Sequence, residues 1–437
     1  MDWLDPNLRW VLLGTTLLGI ASGTLGAFAF LRGRSLMGDA LAHAALPGVC
    51  VAFLVGQWLQ SRGVLGEGGA KSLGLILLGA GLAGLLAAWC IAGVARHSRL
   101  KEDTTQAIIL SVFFGAGVVL LTRIQHSGAG GQSGLDKFLF GQAASLVASD
   151  VRLMAAIAVV LCLLSFALFK EWKLLCFDPA FGTGLGLPMA RLDGVLLLMI
   201  VAAVVIGLQA VGVVLIAALL ITPPAAARFW TDRLSTMILL SAFFGGCSGV
   251  LGTIVSALPA SQGLPTGPMI VMAATFVFVL SVLLAPRRGA VARVWRVWRT
   301  REKVQRENLL RDWYEVLENH QAQGLQTDVV SLDELSRKRS HNAGGALKQL
   351  EKMGLARQRE HGWQLTETGQ AEAHRVTRNH RLWEMFLMYE TSLGAVAVDR
   401  DADTVEHFLP PEAIEQLETM LRQIGHEPRL AKGAGAA

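Results

Sequence analysis

Asp39 and His43 lie four residues apart in the segment Ser35–Gly48, SLMGDALAHAALPG. On a helix that spacing puts a carboxylate and an imidazole on one face. Together they suit a first-row divalent metal ion. Their neighbours are apolar, and an ionisable side chain at membrane depth costs about 3 kcal/mol or more unless it is partnered. The pair therefore marks an ion route, unless the two side chains simply satisfy each other; the spacing leaves both readings open. A second group lies near the C-terminus. His380 and Glu384 are four apart in NHRLWEMFL, and Asp399, Asp403, Glu406 and His407 follow at helical spacing. Two such faces brought together offer imidazoles and carboxylates suited to Mn(II), Fe(II) or Zn(II). Kept apart, they are ordinary solvated surface.

The elements that must position these groups belong to two solvents. Of 437 residues, 52% are hydrophobic and 17% charged, against about 25% charged in a soluble globular chain. A single soluble domain is excluded, and so is a disordered chain, which needs low hydrophobicity. About 28 of the 73 charged residues fall in Met1–Pro286 and about 45 in Arg287–Ala437. Lipid comes first and water second. The net charge of +5 is modest, so bulk charge does not argue for nucleic-acid binding. Cys50, Cys90, Cys162, Cys176 and Cys247 form no CxxC pair and read as small core residues.

Apolar runs occupy Leu8–Leu31, Leu36–Leu59, Ser72–Ala95, Ala107–Thr122, Leu153–Phe169, Leu234–Leu258 and Met269–Ala285. The first is long enough to span, unlike a cleavable signal. Between Asp193 and Arg228 no residue is charged. That stretch exceeds the roughly 20 residues of one crossing, so it holds one span plus a re-entrant piece, or two short spans broken near Gly207. Eight or nine crossings result. With nine and the N-terminus outside, Arg32, Arg34, Arg96, Arg99, Lys101, Lys170, Lys173, Arg191, Arg228 and Arg233 lie inside. This follows the positive-inside rule and puts the C-terminal tail in the cytoplasm.

The tail opens with RRGAVARVWRVWRTREKVQREN, where Trp295 and Trp298 share one helix face. The segment is a helix at the lipid headgroups or a basic stop-transfer flank. Residues 287–307 form this linker, after a transmembrane domain over 1–286. Helical patterns over Leu309–Gln321, Ser331–Arg337 and Ala343–Met353, then a hairpin over Arg357–Leu365, have a winged-helix order and delimit a domain at 308–366. Helices over Thr368–Tyr389, Val396–Phe408 and Pro411–Ile424 form a further domain at 367–430, before a flexible end at 431–437.

The segment SLMGDALAHAALPG resembles a signature of the zinc/manganese/iron ABC-transporter permease family. So do QAVGVVLIAALLITPPAAA (Gln209–Ala227), Ser248-Gly249 and LPTGPMIV (Leu264–Val271). The resemblance covers roughly Asn7 to Pro286. It implies a subunit that passes divalent metal between two permeases, with Asp39 and His43 contacting the ion. Asp178, Pro179, Ala180 and Phe181, continuing through Gly184, resemble the coupling helix that docks on an ATPase. Asp178 and Pro179 suit a helix start on their own account. No G-x-x-x-x-G-K-[ST] is present; Gly69-Ala70-Lys71-Ser72 lacks the GK pair. The expectation is that this chain has no ATP site, is not itself an enzyme, and needs a separate ATPase.

ALKQLEKMGLARQREHGWQLTETG, NHRLWEMFL and DADTVEHFLPPEAIEQLE are similar to the iron/manganese-dependent (diphtheria-toxin-repressor-like) regulator family. That resemblance implies metal ligands at His380, Asp403, Glu406 and His407, with Glu384 and Asp399 ancillary. Two departures stand out. Asn308 and Arg311 occupy the first helix where the family has acidic ligands. Gly344-Gly345 interrupt the recognition helix, Ser340–Leu350, leaving Arg337, Lys338, Arg339 and Lys348 as candidate DNA phosphate contacts.

The expected fold is an all-α polytopic membrane protein with eight or nine transmembrane helices. A cytoplasmic winged helix and a helical metal-binding and dimerisation domain complete it. The expected function is the permease subunit of an ATP-binding-cassette importer for Mn, Zn or Fe in a bacterial-type inner membrane. The metal is then substrate and, through the tail, effector. Expected partners are the ATPase, an extracytoplasmic metal-binding protein, a second permease, membrane lipid and, through the winged helix, DNA. The alternative is a membrane-anchored metal-dependent transcription regulator, although an anchor needs no ionisable pair. A route for a metal chelate or vitamin would need an aromatic lining, and the first 286 residues hold no such cluster.

Overall fold

The structure, a computed structural model, describes residues 6–34, 36–64, 66, 72–126, 148–210, 212–258, 264–325, 328–338, 343–390 and 411–423. The chain divides into two compact units, Met1–Arg293 and Val294–Ala437.

The first unit is helical. Its long helices are α1 (Pro6–Leu31), α2 (Met37–Ser61), α3 (Leu73–His97), α4 (Glu102–His126) and α5 (Ala148–Ala167). Two short helices follow, α6 (Phe169–Phe177) and α7 (Pro179–Gly184). Then come α8 (Met189–Ala210), α9 (Val213–Trp230), α10 (Leu234–Ala257) and α11 (Thr266–Leu284). Among the described residues, eight helices are long and apolar enough to cross a membrane, and α9 is a shorter apolar helix. The expected eight or nine crossings correspond to this set. Helix α4 outruns its apolar core because Glu102 and Asp103 open it and Arg123 and His126 close it, signs that suit the helix dipole.

The break in the long uncharged stretch corrects the expectation. It falls at Gly212, where φ is +93°, and not near Gly207. Gly207 stays inside α8, and a Cβ there would run into Ile216. Both glycines matter, one for its backbone and the other for the space it leaves.

Helix α1 packs along α10 at backbone distance. A Cβ on Gly19 would enter the carbonyl of Gly245, the small-residue packing expected where lipid gives no hydrophobic drive. One turn away, the hydroxyls of Thr15 and Thr253 meet at 3.0 Å. Helix α2 is enclosed by α3, α4, α8 and α9. Within α9, Pro223 and Pro224 have no N–H for the carbonyls of Leu219 and Leu220. The Leu220 carbonyl points at Gly26 of α1, where a side chain would collide with it.

In the second unit, helix α12 (Ala290–Ala322) runs through the boundary expected at residue 308 without interruption. No Gly or Pro lies between its ends. After it come β1 (Val329–Val330), α13 (Leu332–Lys338), α14 (Ala343–Lys352), β2 (Ala356–Arg359), β3 (Gly362–Leu365), α15 (Glu367–Glu390) and α16 (Pro411–Gln423). The strands form an antiparallel sheet in the order β1-β3-β2, with Trp363 opposite both Val330 and Gln358. Two helices between β1 and a β2–β3 hairpin make a winged helix, as expected. Leu310, Trp313, Leu335, Leu347, Leu350 and Leu365 meet in its core. The Thr366 hydroxyl receives the N–H of Gly369 at 3.0 Å and caps α15. On α15, Arg378 pairs with Glu418 of α16 and holds that carboxyl below its usual range. The helix expected over Val396–Phe408 lies outside the described residues.

Candidate metal pathway and coupling site

From Met37 to Cys50 every residue of α2 is buried except Asp39 and His43. Asp39 sits in the first turn, where the helix N-terminus favours a carboxylate. His43 follows one turn later. Its Nε2 lies 3.4 Å from Asp39 Oδ1, with the side chains 16% and 36% exposed respectively. That separation is long for a charge-assisted hydrogen bond, so the pair is adjacent without being locked. The other ring nitrogen, Nδ1, is buried and has no hydrogen-bond partner among the described residues. Phe114 of α4 meets the imidazole edge-on, with centroids 4.9 Å apart.

Pro47 adds a feature that composition did not reveal. It lies inside α2, and four residues earlier stands His43. Proline has no N–H to give to the His43 carbonyl, so this main-chain oxygen lacks the helical donor it would otherwise have. Among the described residues no group of three or more His, Cys, Asp and Glu could hold a metal ion. Asp39 and His43 are thus two candidate donors one helical turn apart, fewer than a closed metal site needs.

The segment expected to couple to an ATPase forms the short helix α7. Asp178 accepts the N–H of Phe181 at 2.9 Å, and Pro179 occupies the first turn. Asp178, Pro179, Ala180, Phe181 and Gly184 are exposed, and Phe177, Phe181 and Leu185 present 57–60% of their surface. Gly182 is buried against Met189. One face of the short helix is thus seated and the other is open.

An ion-pair network, overlooked in the sequence, joins the helices on either side of this element to the turn between α1 and α2. Arg32 Nε and Arg34 Nη1 reach the two carboxylate oxygens of Asp193 at 3.3 and 2.8 Å. Arg34 Nε also meets Glu102 at 2.7 Å, and Arg32 donates to the Leu175 carbonyl at 3.3 Å. Behind it, Trp172 of α6 is fully buried against Phe28 of α1. The turn between α1 and α2 is therefore tied to α4, α6 and α8. Arg32 and Arg34 had been read only as markers of orientation. The signal that could have found the network was Asp193, an isolated acid at the edge of an apolar run.

In the tail, His380 of α15 is buried, and the Arg311 guanidinium of α12 stands 2.9 Å from its Nδ1. Glu384, one turn further on, is half-buried. Asp399, Asp403, Glu406 and His407 lie outside the described residues, so the structure does not bring them to His380. Lys348 is exposed on α14, and Arg337 and Lys338 end α13. Arg339 lies outside the described residues.

Comparison with known proteins gives two family matches. The ABC 3 transport family matches residues 5–285. The iron dependent repressor, metal binding and dimerisation domain matches residues 366–432. The chain is similar to the manganese transport system membrane protein MntC of Bacillus subtilis, with 45% identity over 99% of this chain and 96% of that protein. It is also similar to the zinc transport system membrane protein TroC of Treponema pallidum, 43% identical over 67% of this chain and 93% of that protein. Among solved structures, PsaBC from Streptococcus pneumoniae in complex with Fab resembles it with a TM-score of 0.55. That match is 31% identical and covers 65% of this chain and 94% of the other.

Proposed function

The chain belongs to the ABC 3 transport family, and from that premise we propose that it is the membrane permease subunit of an ATP-binding-cassette importer for divalent manganese or zinc, with Fe(II) a further candidate cargo. The observation that carries this reading is the Asp39–His43 pair. It is the one opening in the buried first half of α2, with a ring nitrogen left unpartnered. Two relatives are named for transport of manganese and of zinc, ions that suit a carboxylate–imidazole pair.

The metal is the substrate. An extracytoplasmic metal-binding protein delivers it, and Asp39 and His43 offer it ligands too few to trap it. A second permease supplies the facing wall of the route. Hydrolysis of ATP belongs to a separate ATPase, which docks on the exposed Phe177, Phe181 and Leu185 around α7 in the cytoplasm. The Arg32–Arg34–Asp193–Glu102 network ties the turn preceding Asp39 to α6 and α8, the helices that flank α7 in sequence, so a displacement of α7 that moves either neighbour reaches the metal pair through a charged linkage. On α12, Trp295 and Trp298 are exposed on one face with arginines around them, which fits a lipid-headgroup surface.

The test is ATP-driven uptake of radioactive manganese by vesicles holding this chain and its ATPase. Replacing Asp39→Ala and His43→Ala together lowers uptake by at least the ~10–100-fold that loss of an outer-shell metal partner costs. Undiminished uptake in the double variant removes the pathway role and favours a membrane-anchored regulator.

For the tail, the match at 366–432 supports a regulatory or dimerising domain. A metal-sensing role through His380, Glu384, Asp399, Asp403, Glu406 and His407 requires a free lone pair on His380. The Arg311 guanidinium stands 2.9 Å from Nδ1 and 3.4 Å from Nε2 of that ring, over its face, and so does not take up an in-plane lone pair.

A further inference from the structure

We propose that Gln106 of α4 is a further oxygen ligand on the ion's route, one helical turn beyond Asp39, and that its amide favours Mn(II) over Zn(II). The inference rests on the transport reading of the Asp39–His43 pair and names the ion which that site prefers.

The amide serves no purpose in the packing. Gln106 is 1% exposed, and its Oε1 and Nε2 are both buried without a hydrogen-bond partner. Buried amides are normally paired, and an unpaired one costs free energy that an apolar side chain of the same shape would not. Its neighbour shows the contrast. Thr105 is buried as completely, and its hydroxyl donates to the Lys101 carbonyl at 3.3 Å. Helix α4 is long and apolar enough to cross a membrane, and a polar side chain sealed inside such a span marks a substrate or ion path.

Helix register places the amide on the route. Helices α2 and α4 run side by side in the same direction: His43 meets Phe114, and further along Leu46 and Pro47 close on Gly117. A Cβ on Gly117 would come within 2.9 Å of the Leu46 side chain and 3.0 Å of Pro47. At the other end Arg34, just ahead of α2, reaches Glu102, the first residue of α4. Asp39 lies seven residues before Leu46, and Gln106 eleven before Gly117. These are whole numbers of turns, so each shares the face that meets the other helix. At 1.5 Å per residue, Gln106 stands about 6 Å beyond Asp39 toward the Arg34–Glu102 pair. His43, Asp39 and Gln106 follow one another along a single seam.

Donor chemistry sets the preference. An amide carbonyl is a hard oxygen donor of the kind that suits Mn(II). Tetrahedral surroundings satisfy Zn(II), whereas Mn(II) takes an octahedral oxygen shell, so an added oxygen helps manganese more. Being neutral, the amide receives the ion from Asp39 without the charge that would hold it there.

The test measures ATP-driven uptake of manganese and of zinc, separately, by vesicles holding the full chain and its ATPase. Gln106→Leu removes the amide. Gln106→Met keeps the length of the side chain and puts a soft sulfur in place of the oxygen. Each should lower manganese uptake about 10-fold, the scale on which a lost metal partner is felt, and leave zinc uptake nearly intact. The melting temperature should not fall, because an unpaired amide leaves the interior. A purely structural amide would affect both metals alike. An unchanged manganese-to-zinc ratio in either correctly inserted variant overturns the proposal, and failure of both variants to insert does so too, by making the amide a packing group. Asp39→Ala with His43→Ala is assayed alongside. If that double variant loses uptake while the Gln106 variants keep the ratio, the amide alone is excluded and the route stands. Undiminished uptake in the double variant removes the route and this proposal together.

Discussion

Asp39 and His43 derive their chemistry from what the residues around them do not provide. Twelve of the fourteen positions from Met37 to Cys50 are buried, so a carboxylate and an imidazole left partly open there have no packing purpose. On the proposed route, their 3.4 Å separation suits a cation contacting both, where a shorter, better aligned contact would satisfy each with the other. Pro47 extends the argument to the main chain. Proline in a helix interior costs roughly 3 kcal/mol, and here it sits four residues after the imidazole. Pro47→Ala returns an N–H to the His43 carbonyl. The expected outcome is a higher melting temperature by circular dichroism together with slower manganese uptake. Uptake equal to that of the unaltered chain would show that the freed carbonyl plays no part.

At the scale of elements, the turn between α1 and α2 is the junction. Arg34 contacts Asp193 and Glu102, and Arg32 contacts Asp193 and the end of α6. Partly exposed pairs of this kind contribute little to stability singly. As a network they link the turn before α2 to α4, α6 and α8. Arg34→Ala should therefore leave the fold and the partner's ATP hydrolysis largely intact while lowering manganese transported per ATP. Simultaneous assay of phosphate release and uptake checks this, and an unchanged ratio would separate the network from coupling. Element-level features were well marked in the sequence when their signal was local. The hairpin over Arg357–Leu365 was legible from strand residues around His361-Gly362, and the start of α7 from Asp178-Pro179. The network was not legible, because its members come from four separate segments and each looks like an ordinary flanking charge.

For the whole molecule, the relatives supply a prediction. TroC matches 292 residues, 67% of this chain but 93% of its own length, so a related transport protein is about as long as the first unit alone. A chain ending after Arg293 should retain ATP-driven uptake in vesicles; loss of uptake from a correctly inserted truncation would make the tail part of the transport machinery. What the sequence alone determined is whatever depends on neighbours along the chain: apolar length for the spans, a four-residue spacing for Asp39 and His43, and a composition change separating a lipid-soluble part from a water-soluble one. Tertiary structure decided the rest. Gly207 and Gly212 look alike in a string of letters, but one accommodates Ile216 and the other turns the backbone. Arg311 and His380 are 69 residues apart, and only folding brings a guanidinium onto an imidazole. Periodicity reports which side of a helix a residue occupies; it carries no information about which distant side chain will face it there.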